Sequence, residues 1–452
     1  MNERVVIVGG GITGLAAAHE LHRQGRGFVV LDAAERVGGK VAAGPVEGSG
    51  LPFDVDMAAD GFLAREPEMT ELCLELGLGA ALTSPRPGGA FMWVDGALRR
   101  IPPSVLGAPL DPDAVADSGI VSAAGVDALR SGLVADLPAL DGDATVGEVL
   151  RPRVGDEVFA RLVDPLIGGI NAGTADEMSI RAGAGALASA AARGGPFGEA
   201  LRAHGRETVT DGPVFHGVEG GSQRIVDALA HELGAGIRTE AEVFDLERAD
   251  DGSWIVRTDD ESYRADEVVL TTPGWVSAAL LAPHAPEAAA VLAGLTYADA
   301  VLVTFVAPRD RVAHELDGAG FLVPRDQGLL MTACSVSSSK WAHYDDGEHV
   351  IMRVSAGRTD DPRWLGMPID EVVDRLLDEL RLTVGLSGEA VARVSEWRRS
   401  LPQYRPGHLD RCDRIDEWMA RDTPGVRVAG ASMRGLGLPA CVRQGRAVVT
   451  PR

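Results

Sequence analysis

The chain has 452 residues, 45% hydrophobic and 24% charged. That composition excludes a largely disordered chain, and the length suffices for two or three domains around a large cofactor. A formal net charge of −23 excludes a nucleic-acid partner, whose phosphates the surface would repel, and opposes tight binding to anionic lipid.

No run of about eighteen apolar residues is present that could span a bilayer, and no N-terminal signal pattern is found. Cys73, Cys334, Cys412 and Cys441 are the only cysteines. They form no CxxC pair, which argues against a metal site or disulfide framework and fits a reducing cytosol.

Arg4 to Val8 is a β-branched run that reads as a strand. Gly9, Gly10, Gly11, Ile12, Thr13 and Gly14 follow directly, and Ile12 to Gln24 has the alanine and leucine spacing of a helix. Gly9, Gly11 and Gly14 satisfy G-x-G-x-x-G. The first allows the tight turn, the second close approach of a pyrophosphate to the backbone, and the third close helix packing. The helix start offers unpaired N–H groups to the phosphates.

Phe28 to Leu31 reads as the second strand, with Asp32 at its end. A carboxylate there accepts ribose hydroxyls and repels a 2′-phosphate, which disfavours NADP. NAD and FAD share this unit. Arg36-Val37-Gly38-Gly39-Lys40 resembles the R-x-G-G-[KR] element that wraps the diphosphate in the FAD-linked amine oxidase superfamily, and this tips the reading to FAD, with Ala33 also expected at the adenosine.

From Arg65 to His204 the chain is rich in Ala, Leu and Pro, with helical patterns at Glu68 to Leu76 and Val146 to Val154. Thr239 to Ala249 and Trp254 to Thr258 alternate like a β-meander, and Ala265 to Pro273 reads as a strand ending in a turn. Strands are expected at Val301 to Val306, Gly320 to Val323, Leu329 to Ala333 and Val350 to Ser355, with a helix over Pro368 to Val384. Val426 to Gly430 reads as a last strand, and Gly435 to Cys441 as a loop entering a helix from Val442. That helix start could aim its dipole at a flavin.

The expected fold class is α/β, a Rossmann-like FAD-binding domain of the FAD-linked amine oxidase and p-hydroxybenzoate hydroxylase type. It is divided as residues 1–65, 205–275 and 394–452 for FAD, 66–204 as a mostly helical insertion, and 276–393 as a sheet-and-helix substrate domain.

The segments together resemble the protoporphyrinogen and coproporphyrinogen oxidase family almost end to end. They are Val5 to Leu21, Asp164 to Gly173, Gly220 to Gln223, Ser337 to Trp341, Leu401 to Tyr404 and Gly435 to Gly445. Within it the chain is most similar to the soluble Gram-positive coproporphyrinogen III oxidases. That resemblance implies non-covalent FAD, a tetrapyrrole substrate, O2 as acceptor, H2O2 as product, a cytoplasmic place in haem synthesis, and transient contact with other enzymes of that pathway.

Carried over by position, Gly9 to Gly14, Asp32, Gly39 and Lys40 match adenosine and diphosphate contacts. Met57, Ala58, Ala59 and Asp60 match a loop beside the flavin, Val243 a backbone contact to adenine, and Trp397 a residue near the isoalloxazine. Leu436, Gly437 and Leu438 match the C-terminal flavin contact, with Gly430 at the end of the last strand before it. The family usually has glycine where Ala58 stands, and relatives usually continue past the position of Arg452.

No Ser-His-Asp or paired-carboxylate set stands out, so no catalytic base is assigned, and His216 and His408 read as ordinary satisfied or surface residues. Arg99-Arg100, Arg151 with Arg153, and Arg398-Arg399 are candidate propionate holders, or else plain solvated pairs. Three other readings stay open: a protoporphyrinogen oxidase, an amine oxidase, and a porphyrin-binding flavoprotein without turnover. Only four Tyr argue weakly against an aromatic amine cage.

Overall fold

The computed structural model describes residues 4–208, 212–314 and 317–450. Its first layer is a five-stranded parallel sheet in the order Ile237–Arg238, Gly27–Leu31, Arg4–Val8, Glu267–Leu270, Val426–Val428. The central strand is buried on both faces, which is why it reads as an unbroken β-branched run. Val5 and Ile7 pack toward the helices Ile12–Arg23, Gln223–Leu233 and Leu438–Val449. Val6 and Val8 pack toward the three-stranded meander Val243–Arg248, Trp254–Thr258, Ser262–Ala265 and the helix His408–Asp422.

A seven-stranded sheet forms the second layer, in the order Val391–Pro402, Tyr297–Pro308, His349–Ala356, Met331–Val336, Gly318–Leu322, Gly89–Val94, Ala97–Arg100. One face is dry beneath the amphipathic helix Ile369–Val384. A separate helical core gathers Pro112–Ser118, Ala123–Val134, Val146–Val154, Asp164–Asn171 and Phe197–Thr208.

The architecture corrects the expected division in two places. Gly89–Val94 and Ala97–Arg100 fall within the segment expected to be helical, yet they extend the large sheet, through a parallel pairing to Gly318–Leu322. A boundary at residue 394 would cut the strand Val391–Pro402, which pairs along its length with Tyr297–Pro308. Trp397 therefore stands on the large sheet.

The last helix starts at Leu438, earlier than the expected Val442, because Pro439 occupies its first turn, where a missing N–H costs nothing. Arg452 lies outside the described residues.

Candidate functional site

The glycine turn joins strand to helix at the carboxyl end of the parallel sheet, the edge where such sheets bind ligands. Gly9 has φ +104°. A Cβ on Gly14 would come within 1.9 Å of the Gly9 carbonyl oxygen, so the helix can lie this close only with glycine there. Gly11 caps the helix with its backbone alone, and a Cβ on it would meet open space.

That space is a cavity of about 500 Å³, within the range of cofactor sites. Of the expected residues, Gly9, Gly11, Ile12, Thr13, Asp32 and Ala33 line it, as do Gly39, Lys40, Val243, Leu436 and Leu438. The other expected residues do not line it. The Gly10 N–H donates to Asp32 Oδ2 at 2.5 Å, and Asp32 Oδ1 accepts from the Ala34 N–H at 2.9 Å. Gly430 packs against Thr13, and Gly437 caps the last helix.

Arg36 does not line the cavity. Its guanidinium donates to the carbonyls of Val37, Gly39 and Val41 and so closes its own loop. The Gly38 N–H donates to the Gly10 carbonyl at 2.7 Å, which seats that loop on the glycine turn. Lys40 is the cation that reaches the cavity. Desolvation lowers its pKa, and it makes no hydrogen bond or ion pair among the described residues. Lys40 is exposed at the cavity wall, and an ammonium there with no partner suits a bound anion such as the FAD diphosphate.

Met57, Ala58, Ala59 and Asp60 form a second group. The Trp397 indole N–H donates to the Met57 carbonyl at 3.4 Å, which ties the loop to the large sheet. Asp60 accepts from Lys340 at 3.0 Å and from the Trp341 indole at 3.1 Å, and lies 3.2 Å from Arg353. Burial alone would raise its pKa, but the two cations win and hold the carboxyl well below the usual range.

Asp56, at the base of the loop, accepts from the Tyr344 hydroxyl and the Ser222 N–H, both at 2.9 Å. Burial pushes its pKa up to about 6 against those two bonds, with the Asp60 charge adding to the rise.

Most of the candidate arginines are already committed. Arg100 pairs with Asp317, Arg151 with Asp156 and Asp176, and Arg398 with Glu396. Arg153 is buried and donates to the carbonyls of Val149 and Pro138. Arg99 lies against Gly119, with its Nε buried and without a partner. The Arg399 N–H donates to Asp299 Oδ1 at 2.8 Å, while its guanidinium makes no ion pair among the described residues. It stacks at 4.4 Å on Trp275, which lines the cavity.

Sequence reasoning missed Thr271, Thr272 and Pro273, and also Tyr297, Pro402, Ser432 and Cys441, all of which line the cavity. The first three follow the strand Glu267–Leu270, and the rule that ligands sit beyond the carboxyl ends of parallel strands could have found them. His408 is buried, with Nε2 2.5 Å from the Met433 carbonyl and with its Nδ1 buried without a partner. His216 packs on Phe62. No metal-ligand cluster and no helix long and apolar enough to cross a membrane occur among the described residues.

A parallel sheet with this turn, an acid at the second strand's end and an unpaired cation in the cavity define a dinucleotide-binding oxidoreductase. Residues 12–450 match the family described as flavin containing amine oxidoreductase. Coproporphyrinogen III oxidase of Mycobacterium leprae is 33% identical over 98% of this chain and 96% of its own. The Bacillus subtilis protein of the same name is 27% identical over 99% and 97%.

Among solved structures, a protein of Exiguobacterium whose name assigns it provisionally to the protoporphyrinogen oxidases superposes with a TM-score of 0.89. It is 31% identical and covered over 98% of its chain by 99% of this one. The chain belongs to the flavin-containing amine oxidoreductase family, in the group of the coproporphyrinogen III oxidases. FAD is its cofactor.

Proposed function

We propose that this protein oxidises coproporphyrinogen III to coproporphyrin III, passing the electrons through FAD to O2. Six electrons and six protons leave the substrate, and three O2 become three H2O2. The observation that carries the reading is the end-to-end similarity to coproporphyrinogen III oxidases, joined to a cavity whose unpaired cation suits FAD.

FAD supplies the chemistry by taking hydride equivalents from the substrate and returning the electrons to O2. The chain's own residues hold and shield the reactants. In this reading the turn Gly9 to Gly14 and the helix start bind the diphosphate, with Lys40 as counter-charge. Asp32 takes the ribose, while Val243 and Ala33 border the adenine. Met57 to Ala59, Trp397 and Leu436 to Leu438 border the flavin.

The open face of the large sheet supports a seat for the tetrapyrrole. There Leu302, Ser355 and Ala333 stand side by side in register, and Ser395 pairs with Leu302. All four are only half-buried, while the opposite face is dry. Arg353 shares the open face and leads back to Asp60.

Four propionates meet a chain of charge −23, so local cations must steer the substrate. Arg399, whose guanidinium has no ion pair among the described residues, suits that task better than the paired arginines. Coproporphyrinogen III should therefore be oxidised with higher kcat/KM than protoporphyrinogen IX. Added salt should raise KM more for the tetracarboxylate, because screening weakens exposed charge pairs. Porphyrin fluorescence at two ionic strengths measures both. An equal or reversed preference would move the assignment to protoporphyrinogen, the substrate in the name of the 26% identical spinach relative.

A further inference from the structure

The stretch from Gly430 to Gly437, between the last strand and the last helix, has no regular structure of its own, and its first half is largely buried. Buried irregular backbone must find partners for its N–H and C=O groups, and here side chains from other elements provide them. The Tyr404 hydroxyl donates to the Ala431 carbonyl at 2.5 Å and accepts from the Gly435 N–H at 3.2 Å. Gln444 Oε1 accepts from the Arg434 N–H at 3.0 Å, and its Nε2 donates to the Gly435 carbonyl at 3.1 Å.

Tyr404 is itself fixed. Its ring stacks on His408 with centroids 4.1 Å apart and planes at 18°. Burial pushes His408 down to about 4, so the imidazole is neutral. Its Nε2 therefore carries the proton and donates it to the Met433 carbonyl. Neither Tyr404 nor Gln444 lines the cavity, whereas Leu436 and Leu438, at the end of the stretch they hold, do.

We propose that Tyr404 and Gln444 are positioning residues. They fix the segment 431–435 so that Leu436, Leu438 and the N-terminal end of the helix Leu438–Val449 meet the flavin at one set distance. The inference rests on the reading of Leu436 to Leu438 as the flavin contact. A helix start carries partial positive charge that falls off within a turn. Reduction adds negative charge to the flavin, so a displaced helix end makes the bound cofactor harder to reduce.

The test uses FAD-loaded protein. Tyr404→Phe keeps the ring and its stacking and removes both hydrogen bonds, while Gln444→Leu removes the other clamp at similar volume. Each should retain FAD, change the visible flavin spectrum, and weaken the flavin reduction equilibrium by about two- to fivefold, the range for a helix terminus. For a two-electron couple a fivefold change is about 20 mV toward negative potential. kcat should fall with KM little changed.

Leu436→Ala, at the cavity wall, is the control. If the clamp variants lower only the melting temperature while Leu436→Ala shifts the potential, the positioning role is overturned and the flavin-contact reading stands. If none of the three shifts potential or spectrum, that reading falls too.

Discussion

Asp56 and Asp60 share one loop and are driven in opposite directions. Asp60 has two cations to answer its charge, while Asp56 has a hydroxyl and one N–H. Burial pushes Asp56 up to about 6 in the folded protein, from an ordinary carboxylate value of 3.8. The contribution of this group is therefore most favourable below the unfolded pKa and is lost as pH rises through about 6. At 1.36 kcal/mol per unit, the loss is about 3 kcal/mol at most.

Asp60, depressed in the folded state, acts the other way and loses its contribution as pH falls. Subtracting one protein from another isolates Asp56. Asp56→Asn keeps one acceptor oxygen for the Ser222 N–H, places a donor NH2 toward the Tyr344 hydroxyl and cannot titrate, so its stability relative to wild type should rise between pH 4 and 7. Urea midpoints across that range measure it, and a flat difference would show that Asp56 does not titrate as described.

At the scale of elements, strand, turn and first helix were legible from Arg4 to Gln24 because each signal is local: a buried β-branched run, glycines at fixed offsets, and helical spacing. Three glycines divide the work. Gly9 supplies the turn, Gly14 the close packing, and Gly11 the opening. Its extended backbone, φ −68° and ψ 176°, suits any residue, and its Cβ direction is free.

Gly11→Val should therefore fold with near-normal far-UV circular dichroism and carry no FAD. Heat-denatured wild type should release a yellow supernatant containing FAD. Normal flavin content in the variant would reduce the turn to a structural role.

Across the whole molecule, the groups that sequence reasoning missed come together from remote positions. Asp60 meets Lys340 and Arg353 from nearly 300 residues away. Tyr297 joins Ser432 through their hydroxyls at 2.9 Å. Nothing in local periodicity records such pairs. The same distance effect hid the two strands Gly89–Val94 and Ala97–Arg100, whose edge pairing lies more than 200 residues along the chain. It also hid Asp317, the carboxylate partner that occupies Arg100.

The resemblance to a known family was legible because its motifs keep their order, and three of them reach the cavity, within Gly9 to Thr13, at Pro402, and within Leu436 to Cys441. The account's central claim is that a reduced tetrapyrrole delivers its electrons to FAD held in that cavity. The most direct measurement mixes the FAD-loaded protein anaerobically with coproporphyrinogen III and follows the visible flavin absorbance. The account predicts bleaching, with colour restored by O2 together with H2O2. Flavin that stays yellow under saturating coproporphyrinogen III would contradict it.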